Sequence, residues 1–320
     1  MSTDSPKIMV ITGASGLIGT HHLIPLARSK GWEVRALTTG SSGRRGDVMF
    51  THWDPPRAAA GDPSAVKAVT EVIDGADAIV NLAGAGVADK RLTPERKKVI
   101  LNSRVDCAQA LIEAWKGCQQ PPSFWFQASA VGYYSDTGDT VVREDHKPGN
   151  DFLSDVCVQW EAAAQKLYEQ VPGAEEKTRI ATGRIGIVLS KHGEAWKKMV
   201  TPIKFGVGGP LGDGQQYFPW VDADDIARMI LFLEHHPQAK GPFNLTAPDP
   251  LRQGDFTSVI ARRLKRPSFM PAPKFALRLA LGELADYILV STRAVPARLQ
   301  ELGYEFLRPD LNSALSHLLR

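Results

Sequence analysis

The chain has little cysteine, no long hydrophobic run and almost no excess of either charge. Its three cysteines are too few for a disulfide framework and are not spaced like metal ligands, so we expect a reducing, cytoplasmic location and no metal site. No apolar stretch approaches the roughly 18 residues of a membrane span, and the first residues lack the apolar core of a signal peptide. The 38 basic and 35 acidic residues nearly cancel, which argues against nucleic acid or a membrane as a partner.

Strand-like and helix-like segments alternate through the first two thirds of the chain. The predicted strands are 8–12, 33–38, 48–52, 78–82, 124–129 and a part of 178–189. The predicted helices are 16–30, 64–73 with Ser64 as the N-cap, 93–115 opened by Thr93 and Pro94, 151–170 and 222–235. This alternation indicates βαβ units, so we predict an α/β fold with a doubly wound parallel sheet.

The pattern changes after residue 190. Glycine and proline crowd residues 202–219, which predicts a long loop, and helical signals follow residue 255. A short strand at 243–246 returns to the main sheet. We therefore expect residues 1–190 and 222–246 to form one domain, and 191–221 and 247–320 to form a small, mostly helical C-terminal domain on the substrate side.

A glycine-rich loop after the first strand carries the sharpest signal. It reads Thr12-Gly13-Ala14-Ser15-Gly16-Leu17-Ile18-Gly19. Glycines at this spacing allow a tight turn, close approach to a pyrophosphate and close packing of the helix, whose free N–H groups attract an anion. We expect a dinucleotide to bind here, with contacts from Gly13, Ser15, Gly16, Leu17 and Ile18. The alternative is a tight βα turn without a ligand.

The end of the second strand favours NADP(H) over NAD(H). An acid here would bind the ribose 2′-hydroxyl of NAD, but no acid lies between Thr38 and Arg45. The hydroxyls of Thr38 and Thr39 followed by Arg44 suit a 2′-phosphate, because arginine forms bidentate bonds to phosphate. Alternatively, Arg44 and Arg45 only solvate a loop.

Small residues follow the fourth predicted strand. The stretch reads Asn81-Leu82-Ala83-Gly84-Ala85-Gly86. Small side chains let the backbone lie against an adenine-ribose or a nicotinamide, so we expect Leu82, Ala83 and Gly84 to contact the cofactor. A plain loop is the alternative.

These motifs, in this order, resemble the short-chain dehydrogenase/reductase superfamily, in its extended or atypical branch. The resemblance is tighter to NAD-dependent epimerase/dehydratase-like proteins, often described as sugar-nucleotide epimerases or cell-division inhibitors. Residues 129–134, 184–189 and 218–222 carry it, and residues 296–306 are similar to the small C-terminal domain of unknown function that closes this subfamily. The resemblance covers nearly the whole chain and implies a Rossmann-type sheet.

The chemistry that the resemblance implies rests on a Ser, a Tyr and a Lys four residues after the Tyr. Ser129 takes the place of the first. On an alignment fixed by Trp160 and Glu161, Leu153 stands where the Tyr is expected and Cys157 where the Lys is expected. Leucine cannot titrate and a neutral thiol cannot replace an ammonium, so the usual acid/base pair is absent.

Three interpretations of the missing pair stay open. In the first, Tyr133 or Tyr134, shortly after Ser129, supplies the acid in a catalytic site with Ser129. In the second, the substrate needs only weak acid assistance, and in the third the protein binds NADP(H) without turnover. Cys157 is a poor candidate nucleophile, because no cation precedes it in sequence to lower its pKa.

Other candidate residues come from the resemblance and from side-chain chemistry. The resemblance implies that the helix carrying Asn102 and Arg104 runs beside the cofactor, and that the backbone at Arg184 meets the nicotinamide. We therefore predict that Asn102 and Arg184 contact the cofactor. Gln216 and Trp220 offer hydrogen bonds and a stacking surface for a sugar or an aromatic ring. An ordered loop with core aromatics is the alternative.

The sequence thus predicts an NADP(H)-dependent oxidoreductase of the epimerase family with an atypical site. Its substrate is a small sugar-like or carbonyl compound. The alternative is a non-catalytic NADP(H) sensor that acts through a protein partner. A strict sugar-nucleotide epimerase would need the acid/base pair that is missing. The chain is expected to be a monomer or a homodimer. The resemblance implies a dimer face on 93–115 and 151–170, where Leu111, Trp115 and Trp160 serve either that face or the core.

Overall fold

The computed structural model describes residues 6–319. Its strands are β1 (Ile8–Thr12), β2 (Glu33–Thr38), β3 (Gly43–Arg45), β4 (Val48–His52), β5 (Ala78–Asn81), β6 (Phe124–Ala130), β7 (Val141–Val142), β8 (Arg179–Ile185), β9 (Ile187–Leu189), β10 (Tyr217–Phe218), β11 (Trp220–Asp222), β12 (Gly241–Leu245), β13 (Leu251–Arg252) and β14 (Arg293–Ala294). The strands predicted in the first 246 residues lie where the sequence placed them, to within two residues at most boundaries.

The helices cover both faces of the main sheet and most of the C-terminal region. They are α1 (Ile24–Ser29), α2 (Pro55–Ala59), α3 (Pro63–Ile73), α4 (Pro94–Lys116), α5 (Phe152–Gln170), α6 (Ala174–Lys177), α7 (Glu194–Lys204), α8 (Ala223–His235), α9 (Gln253–Leu264), α10 (Lys274–Leu281), α11 (Leu284–Ile288), α12 (Ala297–Glu301) and α13 (Leu311–Leu318). A π-helical turn, Gly19–Leu23, precedes α1, and a 3₁₀ helix, Val131–Tyr134, follows β6.

The main sheet has eight strands in the order β12-β8-β6-β5-β1-β2-β4-β3. Each neighbouring pair is parallel except β3 and β4. The predicted α/β fold with a doubly wound parallel sheet is therefore confirmed. The order reverses at β1, so the loops after β1, β2, β5 and β6 gather at one edge, where such folds bind ligands.

The two faces of the sheet carry separate hydrophobic cores. Trp125 and Phe126 show the alternation, because adjacent residues of β6 fall in different clusters and both are 0% exposed. Helices cover both faces, as a parallel sheet requires. A third cluster, which includes Trp196, Trp220 and Phe256, joins α7, α9 and α13.

The C-terminal segment is fastened to α8 through one buried carboxylate. Asp225 is 1% exposed. Its Oδ1 accepts from the hydroxyl of Tyr304 at 2.8 Å and from the N–H of Leu307 at 2.8 Å, and its Oδ2 accepts from the N–H of Arg308 at 2.9 Å. Tyr304, in the segment 296–306 that carries the family resemblance, therefore serves to pack the C-terminal segment on α8.

Two local expectations need correction. Ser64 is not an N-cap, because α3 begins at Pro63 and the carboxylate of Asp62 accepts from the N–H groups of Ser64 and Ala65. The loop predicted for residues 202–219 is shorter, since α7 continues to Lys204 with Pro202 inside it and β10 begins at Tyr217. None of the helices between residues 6 and 319 is long and apolar enough to cross a membrane.

Candidate functional site

The glycine loop has the geometry of a phosphate-binding turn. Gly13 has φ +65°, and a Cβ there would lie 2.7 Å from the carbonyl oxygen of Leu82. A Cβ on Gly19 would lie 2.6 Å from the carbonyl oxygen of Ala14. Between these glycines, Ser15 and Gly16 are exposed. The loop thus offers backbone N–H groups at the start of a helix, with open space in front of them.

Strand β3, which follows β2 in sequence, carries two exposed arginines. Arg44 and Arg45 are exposed, and neither forms an ion pair with any acid among residues 6–319. The Nε of Arg44 donates to the carbonyl oxygen of Gly46 at 3.2 Å, and Arg45 lies over the ring of Phe50. Thr38 is buried, whereas Thr39 is exposed. An anion such as a 2′-phosphate can reach these guanidinium groups.

The stretch after β5 borders the glycine loop. The N–H of Ala83 lies 3.3 Å from the Oγ1 of Thr12, which in turn donates to the Oδ1 of Asn81 at 2.6 Å. Gly84 is exposed, and a Cβ there would lie 3.1 Å from Arg104. The small residues therefore have a second role that the sequence did not reveal, since Gly84 makes room for an arginine on α4.

Ser129 sits at the carboxyl end of β6 in a buried ionic network. It is 2% exposed, and its hydroxyl donates to the Oε1 of Glu161 at 2.7 Å. Arg184 donates to both oxygens of Glu161, from Nε and Nη2, each at 2.9 Å. Because the hydroxyl proton of Ser129 is used in the hydrogen bond to Glu161, this hydroxyl can only accept a further hydrogen bond.

The two tyrosines after Ser129 have different surroundings. The guanidinium of Arg184 lies 3.4 Å from the ring centre of Tyr133. Tyr134 is 2% exposed, its hydroxyl donates to the Oδ1 of Asn244 at 2.6 Å and accepts from Arg184 at 2.9 Å, and burial raises its pKa to about 12. The structure therefore does not favour Tyr134 as an acid, because a buried hydroxyl that already forms two hydrogen bonds cannot reach a substrate.

The positions expected to carry Tyr and Lys face a cavity. Leu153 and Cys157 line it, close to Gly132. Burial raises the pKa of the Cys157 thiol to about 12, although Arg104 lies near enough to oppose that shift. The thiol is therefore neutral, and its low reactivity follows from burial rather than from the lack of a neighbouring cation.

Cys157 should resist alkylation in the folded protein. With a pKa of about 12, about one thiol in 10⁴ is ionised at pH 8, and only the thiolate reacts. We expect iodoacetamide to leave the Cys157 peptide unmodified, as followed by mass spectrometry. The urea-unfolded chain is the control, because its thiols regain a pKa near about 8.5 and should react fully. Rapid alkylation of the folded protein would contradict this.

The cavity has a volume of about 210 Å³ and mostly apolar walls. It lies between the end of β6, α5, β10 and residues 287–292. Ser135, on its wall, has φ +57° and ψ −145°, which costs a non-glycine residue strain. Its hydroxyl donates to the Oδ2 of Asp151 at 2.5 Å, which holds this turn at the start of α5.

Gln216 and Trp220 do not lie on this cavity, in contrast to the sequence expectation. Trp220 is 1% exposed in the third hydrophobic cluster, and the Nε2 of Gln216 donates to the carbonyl oxygen of Leu211 at 3.0 Å. Tyr217, Phe218 and Pro219 line the cavity, whereas the two predicted residues on either side of them do not.

The long helix α4 presents an unexpected residue to the cavity. Asn102, the predicted contact, is on the exposed face. Arg104 is 9% exposed, lines the cavity and stacks on Trp160 at 4.7 Å. Its Nη1 donates to the carbonyl oxygens of Ala85 and Ile100. Among residues 6–319, no group of His, Cys, Asp and Glu side chains could hold a metal ion.

Comparison with known proteins decides the family. The sequence pattern of the NAD dependent epimerase/dehydratase family matches residues 9–246, and the domain of unknown function DUF1731 matches residues 272–318. The chain belongs to the NAD dependent epimerase/dehydratase family. The resemblance that the sequence motifs carried, including the small C-terminal domain, is therefore confirmed.

Relatives in this family span nearly the whole chain. The epimerase family protein SA0724 of Staphylococcus aureus is 35% identical over 98% of this chain and 99% of its own length. A chloroplastic SDR39U1 homolog of Arabidopsis thaliana is 35% identical over 99% of this chain and 88% of its own. The crystal structure of human SDR39U1 with NADPH matches with a TM-score of 0.84 and 30% identity, over 97% of this chain and 98% of that one.

Proposed function

We propose that the protein is an NADP(H)-dependent oxidoreductase that acts on a small compound in the cavity beside β6. One observation supports this above the others. The open glycine loop and the cavity lie at one edge of one sheet, at the carboxyl ends of its strands, and β2 ends at the same edge with Thr38. The NADPH in the structure of human SDR39U1 agrees with this assignment.

The residues present fit an NADP(H) molecule. The diphosphate would lie on Gly13, Ser15, Gly16, Leu17 and Ile18, where Gly13 and Gly16 have no side chain and Ser15 and Gly16 are exposed. The 2′-phosphate would lie on Thr38, Thr39 and Arg44. Leu82, Ala83 and Gly84 would border the adenine-ribose or the nicotinamide, while Asn102 and the backbone of Arg184 are the further contacts that we predict. When bound, NADPH supplies a hydride at the cavity.

The chain's own contribution to the reaction would be to orient the substrate and move a proton. Ser129 is 2% exposed and its hydroxyl donates to Glu161, so its role would be to support the Glu161–Arg184 network on which Tyr133 rests. Tyr133 is the proton donor we propose. Arg184 holds its ring, and its phenol hydroxyl has no hydrogen-bond partner among residues 6–319. Replacing Tyr133 with Phe should therefore lower turnover and leave NADPH affinity unchanged.

A second function, binding of NADP(H) without turnover, has a specific observation in its favour. Leu153 and the neutral Cys157 occupy the cavity wall where the superfamily carries its acid/base pair. Such a protein would sense NADP(H) and act through a partner protein. If no aldehyde, ketone or quinone oxidises bound NADPH, and Tyr133→Phe changes nothing, this second function is the better one.

The predicted division of the chain also enters the proposal. Residues 1–190 and 222–246 would hold the cofactor, and 191–221 and 247–320 would close the substrate cavity, which both parts line. The apolar side chains expected on the dimer face are already buried within one chain: Leu111, Trp115 and Trp160. Their apolar character therefore gives no support for a dimer. Either a monomer or a homodimer stays consistent with the proposal.

The experiment that tests the cofactor is a titration with NADPH and with NADH, followed by cofactor fluorescence. We expect NADPH to bind more tightly. Arg44→Met should weaken NADPH binding about tenfold or more, because a charge-assisted hydrogen bond contributes about 1.5–3 kcal/mol, and should leave NADH binding unchanged. Lys67→Met, an exposed change on α3, is the control. Tighter binding of NADH would contradict the 2′-phosphate site.

A further inference from the structure

A buried cation without a counter-ion lies on the cavity wall. Arg104 is 9% exposed, and no carboxylate among residues 6–319 forms an ion pair with it. Burial lowers its pKa, while no acid is among the groups that act on it. Buried charges in proteins are normally paired, because an unpaired one loses its hydration without compensation. Arg104 therefore lacks an anion.

A second donor without a partner belongs to a residue of the cavity wall. Trp160 is 7% exposed and lines the cavity, and its indole Nε1 is buried with no hydrogen-bond acceptor among residues 6–319. The guanidinium of Arg104 stacks on this ring at 4.7 Å. Only the Nη1 of Arg104 has acceptors in the described chain, the carbonyls of Ala85 and Ile100. The remaining guanidinium N–H groups and the indole N–H therefore have no acceptor in the protein.

The rest of the cavity favours a small apolar body. Its walls include Leu153, Val156, Ile187, Phe218, Ile288 and Val290. The one carboxylate on the wall, Asp151, already accepts from Ser135 and from the N–H of Ser154. The volume of about 210 Å³ equals the bulk volume of about seven waters. A nucleotide sugar is too polar for walls of this kind.

We propose that the cavity binds a small apolar carboxylate, with the carboxylate on Arg104 and the indole N–H of Trp160. This inference rests on the proposed function and names the chemical class of its substrate. A guanidinium binds a carboxylate through two parallel N–H···O bonds, which gives both affinity and orientation. The absence of a side chain at Gly84 leaves the space that Arg104 occupies. The guanidinium and the apolar walls therefore belong to one binding site.

The test compares two probes of the same shape, cinnamate and its uncharged amide, cinnamamide. Their binding to the full chain is measured by calorimetry, with and without saturating NADP⁺. We expect cinnamate to bind about tenfold or more tightly than cinnamamide. Arg104→Met should abolish that preference, Arg104→Lys should keep part of it, and Trp160→Phe should weaken cinnamate binding several-fold. Lys166→Met, an exposed cation change on α5, should alter nothing.

NADPH binding measured on each variant separates the possible failures. Equal binding of the two probes, or a preference that survives in Arg104→Met, would overturn the inference. Loss of NADPH binding in Arg104→Met with an unchanged probe preference would also overturn it, and would assign the arginine to the cofactor. If the unaltered chain binds cinnamate selectively but no NADPH, the proposed function fails and the anion site stands. If Arg104→Met does not fold, Arg104→Lys and Trp160→Phe decide.

Discussion

Replacing Arg184 with methionine is expected to lower the free energy of unfolding by about 3–5 kcal/mol. The Arg184 side chain is 4% exposed and its partner Glu161 is 16% exposed. The substitution keeps most of the volume but removes both bonds to Glu161 and the bond to the Tyr134 hydroxyl. Among residues 6–319, the mostly buried carboxylate of Glu161 would then keep only the hydroxyl of Ser129 as a hydrogen-bond partner. Urea denaturation followed by circular dichroism measures the change.

The control for this substitution is an exposed ion pair. Arg28 and Asp47 form a contact in which the side chains are 44% and 63% exposed. Surface pairs contribute about 0–1 kcal/mol, so Arg28→Met should change stability by no more than that. A loss at Arg184 as small as the loss at Arg28 would mean that water reaches Glu161, and the network would then not be a buried one.

A double variant separates the charge from the packing. In Arg184→Met combined with Glu161→Leu, no unpaired charge remains in the network. Replacing both partners of a buried pair by apolar groups is often nearly neutral. We therefore expect the double variant to recover a large part of the stability that Arg184→Met loses. If it does not, the bond to Tyr134 and the stacking on Tyr133 carry most of the effect.

The sequence predicted those parts of the site whose chemistry is local. The turn at Gly13 and the arginines after β2 depend on a few consecutive residues, so their position could be predicted from spacing alone. The predicted parallel sheet also placed the carboxyl ends of β1, β2, β5 and β6 at one edge. The family resemblance also placed Leu153 and Cys157, which the structure shows on the cavity wall.

The remaining features depend on contacts between distant segments. Nothing in the sequence around Arg104 tells that its guanidinium turns inward to Trp160, while Asn102, two residues earlier, faces solvent. Gln216 and Trp220 were assigned to the substrate because their side chains can bind one. Their burial depends on which side of an extended segment packs against α9, and composition does not determine this.

A Ser–His–Asp arrangement elsewhere in the chain has distances like those of a catalytic triad, but its serine is buried. The Nε2 of His22 lies 2.9 Å from the Oγ of Ser190, and its Nδ1 lies 2.6 Å from Asp224. Ser190, however, is 2% exposed and accepts from the N–H of His192. No substrate can reach that hydroxyl. The arrangement joins the helix after the glycine loop to α8 and serves the fold.

Replacing Gly13 with alanine should destabilise the fold and abolish cofactor binding together. The new Cβ would lie 2.7–2.9 Å from backbone atoms of Leu82 and Ala83, and φ at this position is +65°. The strained backbone costs about 1–3 kcal/mol, and forcing two loops apart costs about 1–3 kcal/mol more. We expect a loss of about 2–6 kcal/mol in urea denaturation, and no detectable NADPH binding at concentrations that saturate the unaltered chain.

Two matched variants separate the causes of that loss. Gly61→Ala places a side chain at φ +79° with nothing within 4 Å, so it should show the backbone strain alone, about 1–3 kcal/mol, and normal NADPH binding. Gly16→Ala adds a Cβ that would lie 3.1 Å from the carbonyl oxygen of Gly13. It should change stability little and weaken NADPH binding, because the methyl group occupies the space that the diphosphate approaches. If Gly16→Ala binds NADPH normally while Gly13→Ala unfolds, the loop serves the fold and the diphosphate lies elsewhere.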